Sequence, residues 1–583
     1  MNRKRITTRT LLFSLPCVVL FSFCKKSAAP PSVEGQNYAN SVNIGVSNEM
    51  PLIGSTVTLS AVYTGKIDKL IWTVDNAVIA SADQALNYTF KDLQEHTFKI
   101  SIEAGPNKFT SAKTIKAMAG SADNEINKNL IPPAGTLRYC TTWLEFTAAV
   151  NSSLPGDVIQ LKDGTYSGNL AISKSGTSGK PITIIPQNRG GVIIGGNSEW
   201  EINGKYITVD GFYFARGSST HPISFGSTSA YSRLVNSAIV EWNLGGADTR
   251  LITIKGNHNE VGYCFLRKKN TPGMMLEVVR ESSARNDHLI HHVYFGYFKD
   301  PGSGNGFETV RISTSGQSLS GSYTTLENCV FERCDGESEI LSNKSGFNRY
   351  RGNTFLNSDG ALTLRHGHDC LVENNFFINT SQGSSSRCNG VRVIGERQIV
   401  RNNYFLNLPS GSQAIQLEYG NEVPHALTQY DQVKDAVIEN NTVYNCDKGI
   451  RIGASRNSSD NPPRILAPNG IFKNNLIVSA NGSNYSLELE DEVVNNNLFT
   501  YSNNLIAGKN RLRPVAANLP AGIQYTPTLQ MTVDNNGLYW PADQQVTAGS
   551  SNMVKPLYQD DVVPYWIKIK MTEKHPDFSG IPW

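Results

Sequence analysis

The chain is poor in charge. Asp, Glu, Lys and Arg make up 18% of its 583 residues, and the formal net charge is only +3. A balance so close to neutral excludes nucleic-acid binding through global electrostatics, so any affinity for an anionic partner has to be local. Nine cysteines are present but none at CxxC spacing, which argues against a zinc site. No apolar run is long enough for a membrane-spanning helix. Helical repeat patterns are missing as well, which excludes leucine-rich and ankyrin arrays. What the chain does have is glycine, 50 residues of it, and many asparagines. Strands and turns are favoured over helices, and the length suits a long solenoid with an accessory module.

The first residues read as an export signal. Arg3, Lys4 and Arg5 precede an apolar run from Leu11 to Phe23, and Cys24 follows it directly. A cysteine in that place resembles a bacterial lipobox. Residues 1–23 are therefore expected to be a lipoprotein-type signal peptide, and 24–40 a tether from a lipid-anchored Cys24. The expected location is the outer membrane, as an exported lipoprotein whose only membrane link is the lipid. A plain secretory peptide cut near Ala28-Ala29 is the alternative. Cys17 lies within the signal. Cys140, Cys264, Cys329, Cys334, Cys370, Cys388 and Cys446 remain, an odd number that cannot all pair, and buried thiols between strands are expected.

Residues 41–120 read as a small immunoglobulin-like β-sandwich. Thr56 to Ser60 and Thr97 to Ile102 alternate, with Leu70-Ile71-Trp72-Thr73-Val74-Asp75 and Tyr88-Thr89-Phe90 between them. The Trp-x-Val-Asp and Tyr-x-Phe strands resemble the PKD family of modules, which implies a spacer with Trp72 in its core or a carbohydrate-binding unit. Residues 121–136, with Pro132-Pro133, form a linker. A short amphipathic helix from Trp143 to Val150, the strand Val158-Ile159-Gln160-Leu161 and the turn Asp163-Gly164-Thr165-Tyr166 look like the cap of a right-handed parallel β-helix. Such a fold needs a cap because its first coil would otherwise expose an unpaired edge and an open core.

Explicit repeats follow. Val372-Glu373-Asn374-Asn375-Phe376-Phe377 recurs as Val400-Arg401-Asn402-Asn403-Tyr404-Phe405, as Ile438-Glu439-Asn440-Asn441-Thr442-Val443 and as Phe472-Lys473-Asn474-Asn475-Leu476-Ile477. One coil plus a variable loop accounts for the spacing. Asparagine suits the bend between strands because it tolerates left-handed backbone and its amide can bond to neighbouring coils. The predicted fold is all-β, a right-handed parallel β-helix over 137–505. A C-terminal extension, 506–583, packs on it. Its Tyr539-Trp540 and Trp566 are either anchors of that tail or stacking platforms for sugar.

Glu337-Ser338-Glu339 carries the first chemical signal. On a strand, residues two apart face the same side. The two carboxylates are expected side by side, where a hard cation such as Ca²⁺ commonly relieves their repulsion. Lys344 follows shortly after, and Leu362-Thr363-Leu364-Arg365 alternates so that the leucines point in and Arg365 points out. Coils stack about 4.8 Å apart, and Lys344 and Arg365 differ by about one coil. One coil before Glu337 lies Asn305-Gly306-Phe307-Glu308, where Asn305 or Glu308 is placed to complete an oxygen cage. Arg392 projects outward one coil after Arg365 and is a candidate uronate ligand. His291-His292 is not at metal spacing and reads as structural. A metal, a base and a fixed cation on one outer face point to chemistry on an acidic polymer.

The set Asn305-Gly-Phe-Glu308, Glu337-Ser-Glu339-Ile, Asn343-Lys344-Ser345 and Arg365-His366-Gly367 resembles polysaccharide lyase family 6, and the resemblance covers residues 137–500. That family contains alginate lyases and chondroitinase B. The resemblance implies Ca²⁺ held by Asn305, Glu337 and Glu339, with Glu308 as a further candidate. It implies Lys344 as base, Arg365 as acid and His366 in the substrate site. The implied reaction removes H5 of a uronic acid and expels the C4 oxygen. Lysine ordinarily has a pKa of about 10.4, which a nearby cation and partial desolvation lower. Arginine is a weak acid, which leaves open a role in stabilising the leaving oxygen while water delivers the proton. Alginate is the expected substrate and dermatan sulfate the second. Two other classes stay open: a glycoside hydrolase with Glu337 and Glu339 as acid and base, and a non-catalytic polysaccharide-binding protein.

Overall fold

The computed structural model describes residues 38–46, 51, 56–79, 83–92, 94–117 and 136–581, apart from 244, 247, 303, 381–387, 480–483, 510 and 552. The expected signal peptide, Cys24, the tether up to residue 37 and the linker up to residue 135 lie outside the described residues. The chain divides into two compact units, Met1–Met118 and Ala119–Trp583.

The first unit is built of two antiparallel sheets. One joins Asn43–Val46, Thr56–Val62 and Ala85–Thr89; the other joins Ala77–Ile79, Lys69–Val74, Glu95–Ala104 and Asn107–Lys116. Alternation along the strands puts Val57, Leu59, Leu70, Trp72, Phe98 and Ile100 into one shared core. Lys69–Val74 turns into Ala77–Ile79 through Asp75 and Asn76, both with positive φ, the two-residue turn whose twist matches a hairpin. Trp72 is fully buried, so its indole packs the core and offers no face to a sugar.

The second unit opens with helix Trp143–Asn151, whose Thr142 and Glu145 form a reciprocal capping box. Its Phe146 is fully buried against Trp200 and Phe212, closing the end of the core. Behind it the chain winds into three parallel sheets of 14, 13 and 14 strands. The parallel β-helix is therefore present. Its strands run on through Asn504–Gly508, Arg511–Arg513 and Ile523–Thr526, past the expected end at 505.

The paired asparagines divide two tasks. The first of each pair, at Asn374, Asn402, Asn440 and Asn474, takes left-handed backbone with φ of 58, 54, 55 and 52°, which asparagine tolerates better than most residues. The second is buried. Asn353, Asn375, Asn403, Asn441 and Asn475 each donate their amide to the Oδ1 of the next in line, ending at Asn504, at 2.9 to 3.0 Å. Beside this ladder Phe295, Phe331, Phe355, Phe377 and Phe405 stack with centroids 4.6 to 4.8 Å apart, close to the spacing of strands. An Asn403→Leu substitution strands one amide hydrogen and the backbone N–H of Asn375, which bond to Asn403 Oδ1 at 3.0 Å. Each stranded donor costs about 1–3 kcal/mol, and urea unfolding followed by circular dichroism is expected to show the sum.

All seven described cysteines are buried. The tail settles the alternative left open for its aromatics. Tyr539 stacks on Tyr444 at 4.1 Å, Trp540 meets Tyr404 edge-on at 5.2 Å, and Trp566 donates its indole N–H to the Asn236 carbonyl. Tyr404 and Tyr444 belong to the sheet of Gly164–Tyr166 and its successors. The candidate site lies on a different sheet, so these rings anchor the tail.

Candidate active site

Five strands carry the site: Val310–Ile312, Glu339–Lys344, Gly360–His366, Cys388–Val393 and Gln413–Glu418, stacked in that order. Their outward residues form a file in register, Arg311, Ser342, Thr363, Arg392 and Gln416, while Leu341, Leu362, Leu364, Val391 and Val393 fill the core. Asn343 also points inward. It is fully buried and its Oδ1 accepts from Asn348 and from the Tyr350 hydroxyl at 2.7 and 2.6 Å. This network fixes the backbone from which Lys344 emerges.

One expectation is corrected here. Glu337 does not lie on a strand with Glu339. It sits in the bend before Glu339–Lys344, so strand alternation is not what places it. Its Oε2 is instead held by the backbone N–H groups of Gly306 and Phe307 at 2.8 and 3.1 Å. Lys344 and Arg365 stand on adjacent coils, about one coil apart as expected, and the register partner of Lys344 is His366. Asn343 faces Leu364 and Lys344 faces His366, leaving Arg365 as the extra residue of a bulge. Bulges bend a strand and re-aim side chains. Arg365 still stands on the coil adjacent to Lys344, one register step aside.

The other expected residues fall as follows. Glu308 is 2% exposed. Its Oε1 lies 3.7 Å from Lys344 Nζ and 3.9 Å from Arg311, and its Oε2 is buried without a partner among the described residues. Glu339 accepts from the Ser342 hydroxyl at 2.5 Å and lies 3.5 Å from Arg392. Glu337 is pushed up to about 7, chiefly by burial and then by the charge of Glu308, with Glu339 adding to it. Asn305 is exposed and shares a cavity of about 210 Å³ with Glu337, Gly304 and Asp300. His366 is 1% exposed, and burial together with Arg365 and Lys344 depresses it to about 3, leaving a neutral ring beneath the open face. Its Nδ1 has no partner among the described residues.

Arg392 is clamped rather than free. Its Nε bonds to Glu418 at 2.7 Å, and Nη2 donates to the Tyr430 hydroxyl at 3.2 Å. Arg365 donates Nη2 to the Thr428 carbonyl at 3.2 Å and stacks 4.1 Å from the Tyr430 ring, while its Nη1 is buried with no partner among the described residues. Arg464 covers the same ring at 4.3 Å. Sequence reading missed Tyr430, Thr428, Glu418 and Arg464. One trace of the loop was legible: the buried asparagines step by 28 residues from Asn375 to Asn403 but by 38 from Asn403 to Asn441. The added length is the loop between Gly420–Asn421 and Val437–Glu439 that carries Thr428 and Tyr430.

A family model described as chondroitinase B matches residues 141–546. The chain belongs to this family, polysaccharide lyase family 6. Among solved structures, the family 6 alginate lyase AlyGC is 29% identical over 76% of this chain, with a TM-score of 0.66. The chain spans 60% of that enzyme's length. A mannuronic acid specific family 6 lyase from human gut microbiota is 26% identical over 68% of this chain and 92% of its own, with a TM-score of 0.57. A family 6 lyase from Pseudopedobacter saltans, 24% identical over 74% of this chain and 99% of its own with a TM-score of 0.55, shares the fold. No curated protein matches significantly.

Membership of family 6 raises the question of a metal. Among the described residues no three His, Cys, Asp or Glu side chains are already drawn together as a cage. The donor set nonetheless suits a hard cation, which takes oxygen ligands only. Glu308 and Glu339 are near enough for their charges to act on Glu337. The Glu308 Oε2 is an orphaned buried acceptor, and the Asn305 amide borders the same cavity as Glu337.

Proposed function

We propose that the chain is an exported, lipid-anchored polysaccharide lyase that cleaves a uronic acid polymer by Ca²⁺-assisted β-elimination. Alginate is the first substrate and dermatan sulfate the second. The observation that carries this reading is the placement of Lys344 and the bulged Arg365 on adjacent coils of one outer face, with three carboxylates beside them. The preference for alginate is supported by the two relatives described as acting on alginate or mannuronic acid.

In this mechanism Lys344 takes H5 from the uronate. Arg365, whose Nη1 lacks a partner, supplies a fixed positive charge to the leaving C4 oxygen, where negative charge develops. Arg392, held by Glu418 and Glu339, orients the substrate by its cationic edge. The neutral His366 supports Lys344 from beneath. A hard divalent cation held by Asn305, Glu337 and Glu339, with Glu308 beside them, would offset the substrate carboxylate's charge and so acidify H5.

The test is incubation of the full chain with polymannuronate, polyguluronate, mixed alginate and dermatan sulfate. The expected products are unsaturated, absorb in the ultraviolet, and lack the added water of hydrolysis by mass. Reducing ends without absorbance would make the chain a hydrolase. Binding without shortening of any polymer would make it a non-catalytic binding protein.

A further inference from the structure

We infer that Lys269 is a positioning residue for the cradle of Glu337, holding in place the loop that presents oxygen ligands to a divalent cation. The inference rests on the lyase reading above. Lys269 ends strand Phe265–Lys269, which belongs to a different sheet from the candidate site, and it is fully buried. The reaction proposed above makes no use of it. A buried ammonium is costly unless its hydrogens find acceptors, so its surroundings show what it holds.

All three hydrogens are taken. Lys269 Nζ donates to the Thr271 carbonyl at 2.6 Å, to the Thr271 hydroxyl at 2.9 Å and to the Pro272 carbonyl at 2.8 Å. All three acceptors are neutral and belong to one turn. An ammonium carries three donors on a single atom, which is what three oxygens converging on one point require. Burial pushes the amine down to about 7, with Asp248 opposing the fall and Arg250 adding to it. The three oxygens favour the charged form, which alone has a hydrogen for each.

Two routes lead from Lys269 to Glu337. The first runs through the turn. The Pro272 carbonyl also accepts from the Thr249 N–H at 2.8 Å, and the next residue, Gly273, donates its N–H to the Gly306 carbonyl at 2.8 Å. A Cβ at Gly273 would meet Asp248 Oδ1 at 2.4 Å and the Thr249 carbonyl at 2.5 Å, so the turn is tightly seated. Gly306 is thus held on both sides, its carbonyl by Gly273 and its N–H by Glu337 Oε2 at 2.8 Å. The second route runs through rings. Lys269 Nζ lies 4.9 Å from the Phe298 centroid, and Phe298 lies 6.0 Å from Phe307. The Phe307 N–H is the other donor to Glu337 Oε2, at 3.1 Å. Both groups that hold Glu337, and Asn305 just before them, therefore rest on the packing around one buried lysine.

Lys269→Met keeps an unbranched side chain and removes the three donors. It is expected to weaken Ca²⁺ binding by about tenfold, the effect of losing a residue that orients ligands from behind. Calorimetric titration of the full chain with Ca²⁺ reads this directly. At limiting Ca²⁺ the cleavage rate should fall in parallel, and saturating Ca²⁺ should restore it. Asn403→Leu is the control: it loses stability in the asparagine ladder, and its Ca²⁺ dissociation constant should stay at the wild-type value. A Lys269→Met protein that melts earlier but binds Ca²⁺ as the wild type does overturns the inference and leaves Lys269 a packing residue. Thr271→Val is nearly isosteric and removes a single acceptor, so it should weaken Ca²⁺ binding in the same direction by a smaller factor. If Lys269→Met does not fold, an unchanged Ca²⁺ affinity in Thr271→Val overturns the inference. A wild type that binds no Ca²⁺ overturns the metal-assisted reading and this inference together, whereas wild-type Ca²⁺ affinity in a folded Lys269→Met overturns this one alone.

Discussion

Lys344→Ala is expected to lose polymer cleavage by about 10²–10⁴-fold, the usual contribution of a positioned general base. The side chain emerges between Asn343 and Ser345, both fully buried, and is itself 20% exposed. Removing it takes little from the apolar core. Its one charged partner among the described residues is Glu308, at 3.7 Å. That carboxylate is buried, and Arg311 at 3.9 Å is then its remaining cation. A buried charge stripped of a partner is costly, so Lys344→Ala should also lose about 1–3 kcal/mol of stability. The two effects separate in a double variant. Adding Glu308→Gln to Lys344→Ala removes the stranded charge and should recover the melting temperature, while cleavage stays lost. If the double variant regains cleavage along with stability, Lys344 is an ion-pair partner and the base lies elsewhere.

The solenoid was legible in the sequence because its reasons are local. An Asn-Asn pair that supplies one left-handed residue and one buried amide looks the same wherever a coil turns, so Asn374-Asn375 and Asn440-Asn441 announce the same bend. The helix cap was legible for a similar reason, since Thr142 and Glu145 satisfy each other within one turn. The site was legible as a set of residues but not as a geometry. Counting one coil between Lys344 and Arg365 assumes an unbroken ladder, and the bulge at Arg365 inserts one residue into it. Treating Glu337 and Glu339 as strand neighbours assumes the strand has begun, whereas Glu337 is placed by N–H groups of Gly306 and Phe307 from the preceding coil. Tyr430 was out of reach altogether. Its position depends on a loop that returns over the sheet, pinned by Asp431 against His425 at 3.3 Å. Contacts of that kind leave only a length signal in the chain.

Removal of divalent cations is expected to abolish cleavage, with Ca²⁺ restoring it. Three carboxylates, Glu308, Glu337 and Glu339, share one end of the site. Of the cations that face them, Arg311 also bonds to Glu277 at 2.5 Å and Arg392 to Glu418 at 2.7 Å, while Lys344 lies 3.7 Å from Glu308. Among the described residues the buried Glu308 Oε2 has no protein donor. A metal that binds the folded chain alone must also stabilise it, by about 2.7 kcal/mol when present at a hundred times its dissociation constant. The melting temperature should therefore rise with added Ca²⁺ and fall back with chelator, independently of any substrate. Glu337→Gln should blunt that rise, because it removes one charged ligand without changing shape. Mg²⁺ should substitute poorly, since it demands a tighter octahedral shell and gives up water reluctantly. Full activity in chelator, with a melting temperature indifferent to Ca²⁺, would mean that Lys344, Arg311 and Arg392 neutralise these carboxylates unaided. The substrate carboxylate would then have to be met by Arg365 and Arg392 alone.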